Sequence, residues 1–195
     1  MLTELISLRK WRKRAYSTPV PAIIKRSCLL RNGISGATWV ETGTFKGGTT
    51  EVLARLGGNV HSIEPSPKFY RRAVKKFRAT PNVTLHHGTS ETVFPELLAS
   101  LSGSINFWLD GHYSAGETFQ AESDTPILLE LETIKRNFGN FETMSVMVDD
   151  VRAFDPTLPG CADYPPKRFL VDWAENLGLN WHIEHDIFVA RSRGV

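Results

Sequence analysis

The sequence predicts an α/β fold built on a largely parallel sheet, and three observations predict it. Five short apolar runs, at 37–40, 60–63, 83–86, 105–109 and 144–148, read as strands. Amphipathic, helix-like stretches separate them, the alternation that parallel crossover connections produce. In the tail, 179–184 and 187–190 are joined by only His185-Asp186, which reads as a closing antiparallel hairpin.

Composition bounds the reading. The 195 residues are 41% hydrophobic, with 23 Lys plus Arg against 21 Asp plus Glu, which fits one ordinary soluble domain and excludes collagen-like, disordered and disulfide-scaffold classes. No apolar run is long enough for a membrane span. The N-terminal charges follow a short apolar stretch instead of preceding it, so neither a transmembrane helix nor a signal peptide is expected. Cys28 and Cys161 lie far apart without a CxxC spacing and read as independent thiols of a reducing compartment, with the cytoplasm as the expected location. Charge is uneven: residues 1–31 hold eight Lys or Arg and one acid, Glu4, whereas 32–195 hold 15 basic and 20 acidic residues. An acidic body argues against a nucleic-acid surface across the whole domain.

In chain order, residues 1–33 read as a basic helical cap. Leu2, Leu5, Ile6 and Trp11 recur among basic residues, Thr18-Pro19-Val20-Pro21 breaks the pattern, and a second apolar segment runs from 22 to 30 before Asn32-Gly33. Residues 34–195 then form the main domain. Phe69, Tyr70, Ala73, Val74 and Phe77 share one face of a helix over 67–78, and Ile127, Leu128, Leu131, Ile134 and Phe138 share one face of a helix over 126–138. Glu132 and Arg136 add a pair on its exposed side, and Asp124-Thr125-Pro126 reads as its cap. A further helix over 167–176 is stopped by Gly178. Residues 110–125 and 150–166 are long connections after the fourth and fifth strands, and loops this long in a compact domain are usually functional.

The densest chemical signal is Glu41-Thr42-Gly43-Thr44-Phe45-Lys46-Gly47-Gly48-Thr49, where the first strand enters a glycine-bearing turn and then a helix. Such a turn lets a ligand approach the backbone; the alternative is a merely structural tight turn. It is not a Walker loop, because Thr49 stands where the lysine should follow Gly48, and not GxGxxG, because Phe45 replaces the second glycine. Twenty-odd residues on, Glu64 closes the second strand, where a carboxylate can accept both hydroxyls of a ribose. As an ordered pair, these motifs resemble those of the class I S-adenosylmethionine-dependent methyltransferases. The resemblance covers about residues 35–190 and implies a Rossmann-like methyltransferase fold, with a mostly parallel seven-stranded sheet, helices on both faces and a C-terminal antiparallel hairpin. It implies that Glu41, Gly43, Thr44 and Gly47 surround the methionine part of the cofactor. Glu64 would hold the ribose, with Gly88, Thr89 and Ser90 beside the adenine.

The fourth strand delivers Asp110, His112, Tyr113 and Ser114 into a long loop, and the fifth delivers Asp149 and Asp150 to the same edge. Three converging carboxylates repel unless protons or a cation compensate, and oxygen ligation suits Mg²⁺; strand-end caps and a direct cofactor contact by Asp110 are the alternative. The arrangement resembles the metal-dependent macrocin O-methyltransferase-like group, which implies a metal held by Asp110, Asp149 and Asp150. It departs from that group at His112, which reads either as the catalytic base beside Asp110 or as a loop histidine held by the backbone.

The expected activity is therefore Mg²⁺-assisted O-methylation of a hydroxyl on a saccharide or other small polar acceptor. A metal-independent methyltransferase with His112 as base is the first rival. An idle methyltransferase-like interaction module is the second, and a nucleotide-linked oxidoreductase is disfavoured by Phe45. The basic run from Arg9 to Arg14 reads as either a contact for an anionic surface or a solvated helix face.

Overall fold

Alternation along the strands decides which layer each residue joins, because successive side chains point to opposite faces. The structure is a computed structural model that describes residues 2–111 and 125–194. Seven strands, β1 (Thr38–Thr42), β2 (Val60–Glu64), β3 (Val83–His87), β4 (Gly103–Leu109), β5 (Phe141–Val148), β6 (Asn180–Glu184) and β7 (Ile187–Arg191), form one sheet in the order β3-β2-β1-β4-β5-β7-β6. β1 to β5 run parallel, and β7 is antiparallel to both β5 and β6. The hairpin turn is the expected His185-Asp186, both with positive φ (50° and 69°), as a two-residue turn of this twist requires.

The described helices are α1 (Leu2–Lys13), α2 (Ala22–Asn32), α3 (Gly48–Ala54), α4 (Pro67–Phe77), α5 (Ser90–Ser100), α6 (Ile127–Arg136) and α7 (Lys167–Asn176). Val40, Phe107 and Val146 face a layer made by Phe94 and Leu98 of α5, Leu131 and Ile134 of α6, and Trp173 of α7. Their neighbours Trp39, Trp108 and Met147 point the other way, onto Cys28 and Leu29 of α2 and Leu53 of α3. Each such buried side chain contributes roughly 1.5–3 kcal/mol. Trp173 also donates its Nε1–H to the Leu131 carbonyl at 3.0 Å, tying α7 to α6.

α6 starts as its sequence signals: the Thr125 hydroxyl accepts the Ile127 N–H at 3.3 Å, and Arg136 pairs with Glu132 at 3.2 Å. The expected cap, residues 1–33, divides into two helices of different character. α2 is part of the core through Cys28 and Leu29, while α1 leaves Leu5 and Ile6 exposed and buries Trp11. Both cysteines are free thiols. Among the described residues no helix is long and apolar enough to cross a membrane.

Candidate active site

The strand order places β1 beside β4, so the chain turns opposite ways from the middle of the sheet, and ligands of open α/β sheets bind at the carboxyl ends of strands at such a point. Gly43 shows how close the two loops come. It has φ +86°, and a Cβ there would lie 2.7 Å from the Asp110 carbonyl, so only glycine lets β1 and β4 open side by side. Gly47, at φ +66°, faces a similar limit: a Cβ would meet the Phe77 ring at 2.7 Å.

Between these glycines Phe45 adopts φ +48°, the left-handed conformation that the missing second glycine would take without strain. Two contacts hold it there. Its N–H donates to Glu64 Oε2 at 2.7 Å, and its ring packs on Phe69 with centroids 4.6 Å apart. Glu64 Oε1 accepts the Ser66 N–H at 2.9 Å, so the carboxylate is fixed at the end of β2. Burial raises its pKa, and these two backbone bonds oppose the rise.

Glu41 and Thr44 come to the same corner but lie beneath the turn. Glu41 Oε2 accepts the hydroxyls of Thr50 (2.5 Å) and Ser62 (2.6 Å), and Thr44 shares a 2.6 Å bond with Ser62. Burial pushes the Glu41 carboxyl up to about 7, although both hydroxyls favour its charged form. Gly88, Thr89 and Ser90 stand at the β3 end, where Thr89 precedes α5 and the Tyr70 ring stacks on His87 at 4.7 Å. The expected cofactor residues therefore line the carboxyl ends of three adjacent strands.

Asp110, Asp149 and Asp150 also meet, as the sequence predicts, yet their compensating charge comes from the protein. Lys25 of α2 donates its ammonium to Asp149 Oδ2 and, at 3.2 Å, to Asp150 Oδ1. Arg152 donates to Asp150 Oδ1 at 2.8 Å and pairs with Asp186. Burial works against the Lys25 charge, but Asp149, Asp110 and Asp150 together hold its pKa above the usual lysine range. Burial and Asp149 push Asp110 well above the ordinary carboxylate range, and Asp149, which is fully buried, also rises because burial outweighs Lys25.

The Mg²⁺ expectation for Asp110, Asp149 and Asp150 finds no support in this arrangement. The three do not form an open oxygen cage, since an ammonium already sits on two of them, and no group of three or more His, Cys, Asp or Glu among the described residues could hold a metal. His112 lies outside the described residues.

One residue of this neighbourhood escaped the sequence reading. Glu130 of α6 is 1% exposed, and its Oε1 lies 3.6 Å from where a Gly111 Cβ would stand. Burial pushes its carboxyl up to about 7; the Ser90 hydroxyl opposes this, the Glu91 charge adds to it, and Thr42 opposes it weakly. Those hydroxyls approach without well-formed bonds, for among the described residues neither Glu130 oxygen nor the Thr42 Oγ1 has a hydrogen-bond partner. The signal was available: positions 127, 130, 131 and 134 share one helical face, so Glu130 interrupts an otherwise apolar stripe.

No protein-family model matches the chain, and no curated protein matches it. Solved structures do. The O-methyltransferase TomG of Streptomyces achromogenes, in complex with S-adenosylmethionine, has a TM-score of 0.56 at 18% identity over 93% of this chain and 85% of its own. A SAM-dependent methyltransferase of Aquifex aeolicus gives 0.53 at 16% identity over 86% and 88%. An rRNA methylase of Streptococcus thermophilus gives 0.51 at 13% identity over 90% and 97%. At such identities the likeness establishes the fold, which is the Rossmann-like methyltransferase fold.

Proposed function

We propose that this chain, built on a methyltransferase fold, transfers the methyl group of S-adenosylmethionine to a hydroxyl of a saccharide or other small polar acceptor. The observation that carries the reading is the corner where Gly43 abuts the Asp110 carbonyl and Glu64 is held by the Phe45 and Ser66 N–H groups. A carboxylate fixed in that way keeps lone pairs for the two hydroxyls of a ribose, at the strand ends where this fold binds ligands. Gly43 and Gly47 keep the turn free of side chains beside the methionine part, and Glu41 and Thr44 brace it from below. Gly88, Thr89 and Ser90 flank the adenine.

Bound there, S-adenosylmethionine supplies a methyl group on a sulfonium for in-line transfer to oxygen, leaving the thioether. His112 takes the acceptor hydroxyl's proton, with Asp110 two positions before it in the sequence as the second catalytic residue. Support for a polar acceptor is the partly exposed charged cluster of Lys25, Asp150 and Arg152, which suits hydrogen bonding to a hydroxyl.

A thermal melt with S-adenosylhomocysteine and, separately, NAD⁺ tests the reading. Ligand at about 100 times its dissociation constant stabilises by roughly 2.7 kcal/mol, equivalent to about 5–10 °C in a chain of this size. A shift with S-adenosylhomocysteine alone, abolished by Glu64→Ala, is the expected result. No shift at millimolar ligand would return the chain to the class of interaction modules.

A further inference from the structure

We propose that Lys25 is a built-in replacement for a divalent metal: from the first turn of α2 its ammonium occupies the space between Asp149 and Asp150 and offers its remaining N–H to the acceptor oxygen. Several observations carry this.

Lys25 is not a mobile surface lysine, because the helix that carries it is docked on the sheet from the next turn onward. Cys28 and Leu29 are fully buried against Trp39, Trp108 and Met147. The Asn32 carbonyl accepts the Ser145 hydroxyl at 2.8 Å, and the Asn32 amide donates to Glu184 at 3.2 Å. Arg31 pairs with the same Glu184. The Lys25 side chain is 19% exposed, so it is held in the protein yet reachable by a ligand.

The protein itself also supplies positive charge where an ion would otherwise sit. Lys25 and Arg152 supply two cations to a group that includes Asp149, Asp150 and Asp186, and Asp150 Oδ1 accepts from both. A divalent ion needs near-octahedral oxygen ligation at about 2.0–2.1 Å, and here it would have to enter beside an ammonium on the same carboxylates. An ammonium carries three donors, of which Asp149 and Asp150 take two. Among the described residues the third has no hydrogen-bond partner and can reach an acceptor oxygen, where a fixed positive charge favours the negative charge that develops as the hydroxyl loses its proton. The acceptor clause rests on the methyl-transfer reading; the replacement of the metal does not.

The test uses the full chain and Mn²⁺ as probe, read by the loss of the free-ion signal in electron paramagnetic resonance. Wild type is expected to bind no Mn²⁺ at this site, so Asp149→Asn leaves its titration unchanged. Lys25→Met, which keeps the side chain's length and removes its charge, should gain one Mn²⁺ per chain, and adding Asp149→Asn should remove it again. Methyl transfer by wild type should be unchanged in excess chelator. Mn²⁺ binding by wild type that Asp149→Asn abolishes, or no gain in a folded Lys25→Met, overturns the proposal. If Lys25→Met does not fold, the wild-type titration and the chelator assay still decide. Failure of S-adenosylhomocysteine to bind would remove the methyl-transfer reading and leave the Mn²⁺ result standing.

Discussion

Glu130 shows how a single buried side chain can be both a cost and a marker. Its carboxyl has no hydrogen-bond partner among the described residues, and burial pushes it up to about 7 from an ordinary 4.5. An acid whose pKa is raised on folding favours the fold below its unfolded pKa, and that contribution is lost as pH rises from about 4.5 through about 7. The shift corresponds to a loss on the order of 3 kcal/mol by pH 8. Glu130→Gln removes the charge and keeps the shape. It should therefore raise Tm at pH 8, at about 2–4 °C per kcal/mol, and change it little at pH 5. Melts of both proteins at the two pH values check this, and equal effects at both would mean that Glu130 is charged and satisfied. Glu41 is legible from sequence as a strand-end acid, but its bonds beneath the turn are not. They depend on Thr50 and Ser62, which only the packing of α3 on β2 brings together.

At the scale of elements, α2 links the core to the chemistry. Leu29 is fully buried on the sheet, whereas its neighbour Leu30 is 49% exposed. Leu29→Ala should cost about 2–5 kcal/mol through lost burial and a cavity, while Leu30→Ala stays within about 0.5 kcal/mol of wild type. Denaturant titration of the two variants checks the contrast, and similar midpoints would mean that α2 is not docked as described. The strands and the hairpin were legible because apolar runs and a two-residue turn are local signals. The Lys25 contact was not: 124 residues separate it from Asp149, and no local period encodes such a pairing. What the sequence did contain was the consequence, three carboxylates on neighbouring strands that require a cation. Oxygen chemistry alone made a metal the natural choice, and the basic character of residues 1–31 was the unused clue.

For the molecule as a whole, the two faces of the sheet each bury an acid. Glu41 and Thr42 are consecutive in β1, so Glu41 points toward α3 while Thr42 points toward Glu130 on the opposite layer. The two carboxyls, both pushed up to about 7, therefore act independently on stability. Glu64, Asp110 and Asp149 shift in the same direction. Against them stand His61 and His86, stacked at 5.3 Å, which burial lowers; a histidine shifted in that direction destabilises the fold as pH falls through 6.5. The raised acids outnumber the histidines and two of them carry large shifts, so Tm should rise as pH is lowered from 8 toward 5. In Glu41→Gln/Glu130→Gln that rise should be smaller, because the two groups pushed up to about 7 no longer contribute. Melts across this range, with S-adenosylhomocysteine omitted, give the answer directly. A wild-type Tm that falls over the same interval would mean that the histidine pair dominates and that Glu41 and Glu130 are ionised throughout.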